Sequence, residues 1–170
     1  MIVMRNYRIS EALTKPTVVL RKPTQDELNN EWVDKNLSSA DFRDSDFRGI
    51  NLTGIRLIKS NLRRTNFEDV VLKDASLGYA DLRDTNLSRS NLYRANFHMV
   101  NCERANLSGA NCRGANFYRT NLYGACVEAT NFIMTNLEGS DISHLTKKEF
   151  LEKAIINEKT NLTNVKFKTK

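Results

Sequence analysis

The residues best suited to chemistry in this sequence are two histidines and three cysteines, and their spacing argues against an active site. His98 and His144 lie 46 residues apart, and neither has an acidic residue in an obvious register with it. The sequence also lacks a GxSxG motif and a glycine-rich phosphate-binding loop. We therefore predict a protein that is not an enzyme and that uses no cofactor.

The cysteines are predicted to be reduced and to hold no metal. Cys102 and Cys112 occupy positions that the repeat described below directs inward, where a reduced cysteine packs as a small apolar residue and a metal would lack further ligands. Cys126 stands where most repeats have asparagine, and no neighbour would activate its thiol. An odd cysteine count and a first segment, MIVMRNYRIS, without a signal-like apolar run predict a cytoplasmic location.

An apolar residue recurs at every fifth position from Leu37 to Ile142, without a slip. The residue before this apolar centre is Asn at 14 of the 22 positions and Asp at 4, and the residue two before it is usually small. All seven glycines follow a centre by one or two positions. Because a strand has a period of 2 and a helix a period of 3.6, neither element explains a period of five.

A short strand followed by a bend explains this pattern. The centre and the small residue two before it point inward, as alternate residues of a strand do. The two residues after the centre point outward, and glycine there permits a tight turn. The intervening Asn or Asp can hydrogen-bond to the backbone of the turn. Successive bends of one sense wind the chain into a coil of stacked parallel strands around a narrow, filled interior.

These residues resemble the pentapeptide repeat family, whose consensus is A(D/N)LXX. The resemblance implies an all-β solenoid, a right-handed quadrilateral β-helix with four pentapeptides in each coil. Residues 36–144 are then predicted to form about 5.5 coils. Residues 1–35 are predicted to cap one end, with a short helix near 25–32, and residues 145–170 to supply a capping helix, a partial final rung and a basic tail. Whether 160–168 add a rung remains open at this point.

The positive charge of the chain is concentrated near its C-terminal end. The net charge of +6 divides into +1 for residues 1–35, +1 for 36–144 and +4 for 145–170. A nearly neutral repeat region, in which acidic residues accompany the arginines, argues against nucleic acid as a partner. The chain also has no apolar run of membrane length, so we expect no membrane association.

A protein partner is the best remaining explanation for the outward residues. Folding the repeat at 20 residues gathers exposed Tyr, Met, Ile and Arg on two adjoining sides, a composition typical of protein interfaces. The candidate binding residues are Arg56, Ile58, Tyr79, His98, Met99 and Tyr118 on one side, and Tyr93, Ile133 and Met134 on the next. We therefore predict a scaffold that binds a protein partner of unknown identity.

The alternative is a protein that mimics DNA and binds DNA gyrase. The resemblance allows it, because quinolone-resistance members of the family resemble B-form DNA in size and charge. That role requires an acidic surface, which the near-neutral repeat region and the net charge of +6 disfavour.

A second helix is predicted from Thr146 to about Asn157, because Thr146 and Glu149 match a capping box. Phe150, Leu151 and Ile155 are expected on one face of this helix. They would serve either as an end cap or as a dimer contact, so the choice between a monomer and a dimer through the C-terminal end stays open.

Overall fold

The computed structural model describes residues 33–169, and parallel bridges in this range join positions 20 residues apart. Asn36 pairs with Arg56, Arg56 with Ser76, and Ser76 with Asn96, and the same spacing recurs as far as the pair Asn121 and Asp141. Four pentapeptides therefore make one coil, and the predicted four-sided β-helix is confirmed over the repeat. The helix predicted near 25–32 lies outside the described residues.

The interior contains both inward positions of each pentapeptide. Every apolar centre from Leu37 to Ile142 is buried, and aromatic centres such as Phe97 and Phe117 stack with ring centroids 4.6 Å apart. Several of the residues two before a centre are Ser or Thr, and most of their hydroxyls bond to backbone carbonyls. The Oγ1 of Thr120, for example, donates to the carbonyl of Phe97 at 2.7 Å. These hydrogen bonds offset the cost of burying a polar group in an apolar interior.

The asparagine before each centre has two roles, of which the sequence predicts one. Its side-chain oxygen accepts the N–H of the first turn residue, as between Asn116 and Tyr118 at 3.1 Å. Its amide group also donates to the asparagine of the preceding rung, as between Asn116 and Asn96 at 3.3 Å. The second bond joins residues 20 apart, so it follows from the coil and not from the five-residue repeat.

The second residue after the centre adopts a left-handed backbone conformation in nearly every repeat. Tyr79 has φ of 61° and Gly124 has φ of 72°, and the N–H of the following residue bonds back to the centre's carbonyl, as in a type II turn. Six of the seven glycines occupy this position with positive φ. Gly78 is the exception, because it lies one position earlier.

Alanine substitutions at three glycines separate two costs of a side chain in these turns: the strain of a positive φ and a close contact with a neighbouring rung. Gly49→Ala meets no atom within 4 Å, so it should cost about 1 kcal/mol from its φ of +68° alone. Gly124→Ala should cost more, because its Cβ would lie 3.1 Å from the Cγ of Arg104. Gly78→Ala should be close to neutral. Chemical denaturation of the three variants measures the differences.

Removing the Arg104 side chain provides the control for this comparison. If the contact matters, Gly124→Ala in an Arg104→Ala background should cost no more than Gly49→Ala in the parent. Equal costs for Gly49→Ala and Gly124→Ala in the parent would show that the arginine stem moves aside freely.

The coil continues for one further rung beyond the regular repeat. Strand β1 (Asp141–Ile142) and strand β2 (Lys166–Phe167) pair in parallel, with Asp141 opposite Lys166. Bridges from Asn131 to Ile155 and from Asn136 to Asn161 extend two further sides. Residues 160–168 therefore add to the solenoid, with Lys166 in its last strand.

Helix α1 (Lys147–Lys153) takes the place of one strand in this last rung. The predicted capping box is present: the Thr146 Oγ1 accepts the N–H of Glu149 at 3.3 Å, and the Glu149 carboxylate accepts the N–H of Thr146 at 2.7 Å. The helix ends at Lys153 and not near Asn157, because Ala154 returns to an extended conformation. Within residues 33–169 no helix is long and apolar enough to span a membrane.

The early end of α1 contradicts the prediction that Phe150, Leu151 and Ile155 share one helix face. Phe150 is fully buried, with its ring centroid 5.9 Å from that of Phe132 and 5.7 Å from that of Phe167. Leu151 is 42% exposed. Ile155 follows the helix, pairs with Asn131 and is 48% exposed. The physical reason is that the chain must extend again before Ile155 to rejoin the coil.

Candidate functional site

The coil has four sides, each defined by the apolar centres beneath it. Side A contains the centres from Leu37 to Leu137, side B those from Phe42 to Ile142, side C those from Phe47 to Val127, and side D those from Leu52 to Phe132. Each side presents its turn residues to solvent, one pentapeptide per rung. Sides A and D adjoin, as do sides B and C.

Side A contains an aromatic ladder, defined as Tyr79, His98 and Tyr118 in three successive rungs. The ring centroids of Tyr79 and His98 lie 5.4 Å apart in an edge-to-face arrangement. Those of His98 and Tyr118 also lie 5.4 Å apart, with the planes 4° from parallel. The Cζ of Arg119 lies 5.0 Å from the Tyr118 ring centroid, as in a cation–π contact. The structure thus brings three of the predicted residues together.

The backbone explains why these three rings meet. His98 and Tyr118 are first turn residues, and their N–H groups donate to the side chains of Asn96 and Asn116 at 3.0 and 3.1 Å. Because the two residues occupy the same position in successive rungs, their rings stack. Tyr79 is a second turn residue, and the buried Gly78 stands before it in the column of His98. The Tyr79 ring reaches His98 from this position, with its hydroxyl oxygen 3.4 Å from the His98 Nε2.

The other predicted residues lie around the ladder without forming part of its ring contacts. Met99 is 42% exposed and follows His98 directly. Arg56 is exposed and Ile58 half-buried, one rung before Tyr79 on side A. Tyr93, Ile133 and Met134 lie on side D, where Met134 is exposed and the other two are half-buried.

Arg119 is a functional candidate that the sequence analysis did not select. Arginines at the second turn position elsewhere bond to an aspartate at the same position one rung earlier, as Arg64 does to Asp44 at 2.6 Å and Arg104 to Asp84 at 2.7 Å. These hydrogen bonds lower the pKa of both aspartates. Met99 stands at that position before Arg119, so the arginine lies against Tyr118 instead. The sequence could have identified Arg119, because the residue 20 positions before it is Met99 and not an aspartate.

Most arginines on side B are neutralised by ion pairs on the same side. Arg43 bonds to Asp41 at 2.6 Å and Arg83 to Asp81 at 2.5 Å, so two of the three first-turn arginines contact the acidic residue two positions before them, whereas Arg63 follows Asn61. The Arg43 side chain lowers the pKa of Asp41 through this hydrogen bond. The acidic residues therefore lie within contact distance of the positive charges that they offset.

A groove of about 690 Å³ separates sides A and B near the C-terminal end of the coil. It is lined by Tyr118 and Arg119 from side A, by Tyr123 from side B and by Lys166 from the last rung. Its three carboxylates, those of Glu103, Glu138 and Asp141, outnumber the two cations Arg119 and Lys166. The groove is thus polar and mixed in charge, and Arg119 lies both at its wall and at the end of the aromatic ladder.

The cysteines and histidines of the described residues do not gather into one site. Cys102 and Cys112 are buried, and burial raises the pKa of both thiols. Cys126 is exposed, with its Sγ 3.0 Å from the Ser108 hydroxyl. The Nε2 of His144 lies 3.0 Å from the carbonyl of Ala125, far along the chain from the ladder. Residues 33–169 contain no cluster of three or more His, Cys, Asp or Glu that could hold a metal.

Solved structures similar to this one cover most of this chain. Full-length QnrB1, a plasmid-mediated fluoroquinolone resistance protein, is 18% identical, with a TM-score of 0.55 over 81% of this chain and 86% of its own. A pentapeptide repeat protein from the Arabidopsis thaliana thylakoid lumen is 23% identical, with a TM-score of 0.48 over 77% and 85%. HetL from Nostoc sp. strain PCC 7120, involved in heterocyst differentiation regulation, is 27% identical, with a TM-score of 0.39 over 79% and 67%.

Comparison of the sequence with known families identifies the family of the chain. No curated protein shows a significant sequence match to the chain. The sequence profile named "Pentapeptide repeats" matches residues 36–74, 72–101 and 99–143, which together span more than half of the chain. The 20-residue coil and the buried centres agree with this match. The chain belongs to the pentapeptide repeat family.

Proposed function

We propose that this protein is a non-catalytic, rigid scaffold that binds a protein partner through side A, with side D at the edge of the interface. The aromatic ladder of Tyr79, His98 and Tyr118 is the observation that carries this proposal. Tyrosine offers a large contact area with few rotatable bonds, so it loses little entropy on binding, and it is enriched at binding hot spots. Tyr79 is 53% exposed and accessible to a partner.

The backbone beneath the ladder supports a preformed binding surface. The N–H of Tyr79 donates to the carbonyl of His98 at 3.0 Å, and the N–H of Met99 donates to the carbonyl of Tyr118 at 2.9 Å. Backbone hydrogen bonds therefore join the three rungs that carry the ladder. A surface that needs no rearrangement retains more of its contact energy as affinity.

The other sides offer less contact surface of this kind. Arginines and acidic residues at the turns of sides B and C form ion pairs, such as those of Arg89 with Glu68 and Asp69. Tyr123 on side B is 50% exposed and packs edge-to-face against His144, with ring centroids 5.8 Å apart, but Glu103 and not a third ring precedes it in its column. Solvated ion pairs contribute little to binding, so side A remains the stronger candidate.

DNA mimicry is disfavoured as an alternative for the same reasons of charge. A protein that occupies a DNA-binding surface needs a strongly negative potential, whereas residues 36–144 carry a net charge of +1. The similarity to QnrB1 is a similarity of fold. We therefore expect the purified protein, at micromolar concentration, to leave supercoiling by DNA gyrase unchanged with and without a fluoroquinolone. Protection or inhibition of gyrase would favour the alternative.

A triple substitution on side A tests the proposed function. The variant Tyr79→Ala, Met99→Ala, Tyr118→Ala removes the exposed apolar surface without touching a buried centre. We expect its melting curve to match that of the parent, because the core is unchanged. In an affinity pull-down from the native host, the partner recovered with the parent should be lost with this variant.

The matched control changes three side chains on the opposite side. Glu68→Ala, Asp69→Ala, Glu128→Ala alters side C and should retain the partner, with a melting temperature within a few degrees of the parent. Loss of the partner in this control, together with its retention in the side A variant, would assign binding to the acidic side and contradict the proposal.

A further inference from the structure

The near-neutral repeat region is polarised across its sides. Between residues 36 and 144, side A carries Arg56, Lys59, Arg119 and Glu138, a net charge of +2. Side D carries Lys73, Asp74, Arg94 and Arg113, also +2. The remaining charged residues give sides B and C net charges of −1 and −2. The aromatic ladder thus lies on the positive half of the coil.

The cations of side A also differ from most others in lacking acidic partners. Within residues 33–169, Arg56, Lys59 and Arg119 have no carboxylate oxygen within 4.0 Å. Arg64, Arg89 and Arg104, at the same kind of turn position on sides B and C, each bond to an aspartate one rung earlier. The charge on side A is consequently available to a ligand.

Two of these cations flank the apolar residues in a single column. Lys59, Tyr79, Met99 and Arg119 occupy the second turn position of four successive rungs, and all four have positive φ. A rung spacing of about 4.8 Å separates Lys59 from Arg119 by roughly 14 Å. An extended chain advances about 3.3 Å per residue, so residues four apart span a similar distance and point to the same side.

We propose that an extended acidic segment of a protein partner lies along this column. Two carboxylates four residues apart contact Lys59 and Arg119, and an apolar side chain midway between them packs on Tyr79 and Met99. The expected pattern is acid–x–apolar–x–acid. The unpaired cations provide charge complementarity, which favours this partner over a basic or neutral one. This inference rests on the proposed function, since it describes the partner of the same side.

Selection from a random peptide library tests the inference without knowledge of the partner. The full chain serves as bait for displayed 12-residue peptides at physiological ionic strength, and fluorescence anisotropy measures the affinity of the enriched peptides. We expect two acidic residues four positions apart around an apolar residue. Lys59→Gln, Arg119→Gln should weaken these peptides at least tenfold. The matched variant Arg43→Gln, Arg83→Gln on side B should leave their affinity unchanged, and both variants should melt like the parent.

Other outcomes separate the inference from the proposed function. Enriched peptides without acidic residues that still lose affinity with Tyr79→Ala, Met99→Ala, Tyr118→Ala would overturn the inference and leave the proposed function intact. If no enriched peptide depends on side A, both are contradicted. A single-stranded 20-nucleotide DNA could also displace the peptides and lose as much affinity as they do with Lys59→Gln, Arg119→Gln. That result would overturn the inference and assign side A to nucleic acid.

Discussion

Replacing Leu92 by aspartate should unfold the β-helix or lower its melting temperature severely. Leu92 is fully buried, and its column neighbours Leu72 and Cys112 are buried as well. A carboxylate at this position would be surrounded by apolar side chains and would either lose its charge or remain without a partner. Such a change costs several kcal/mol, which is a large part of the stability of a typical domain. Thermal unfolding followed by circular dichroism measures the loss.

The control for this substitution places the same aspartate on the outside of the coil. Arg113 is exposed and directly follows the buried centre Cys112. Arg113→Asp should therefore shift the melting temperature by only a few degrees, since surface substitutions change stability by about 0.5 kcal/mol. Similar melting temperatures for Leu92→Asp and Arg113→Asp would contradict the assignment of inward and outward positions.

Truncation before α1 should convert the protein into an aggregating or self-associating species. Removal of residues 145–170 deletes Phe150, which packs against Phe132, and it also deletes the strand segments that pair with Asn131, Asn136 and Asp141. The end of the apolar interior and an open strand edge would then face solvent, and such edges pair readily with other chains. Size-exclusion chromatography with light scattering follows the change.

A shorter truncation serves as the comparison. Removal of residues 169–170 leaves α1 and β2 in place and should keep the solubility and apparent mass of the parent. If the intact protein runs as a dimer and the longer truncation as a soluble monomer, α1 and the exposed Leu151 and Ile155 form a dimer contact instead of an end cap. A longer truncation that is monomeric and as soluble as a monomeric parent would show that the C-terminal segment protects no exposed edge.

The end of α1 shows where local sequence signals lose their predictive value. The capping box at Thr146 and Glu149 predicts the start of the helix correctly, because its hydrogen bonds join residues three apart. The apolar spacing of Phe150, Leu151 and Ile155 favours a longer helix. The structure ends it at Lys153, since Ile155 pairs with Asn131 and gains its hydrogen bonds from the coil. Tertiary pairing outweighs helix periodicity here.

The sequence by itself determined every feature that depends on neighbours within one pentapeptide. The spacing of Leu82, Leu87 and Leu92 identifies the buried positions, and the asparagine before a centre predicts the bond to the turn. The position of the glycines after each centre predicts tight turns, and six of the seven have positive φ. These features recur because each repeat folds by the same short-range hydrogen bonds and the same alternation of inward and outward residues.

The tertiary structure decided which of the outward residues grouped on one side are in contact. A period of five does not specify the number of sides, since that depends on the angle through which each turn redirects the chain. Four turns per coil bring Tyr79, His98 and Tyr118 into one ladder, although 39 residues separate the first from the last. The same stacking gives Arg104 an aspartate and Arg119 a methionine as the preceding neighbour. Contacts between rungs therefore determine which arginines remain available for a partner.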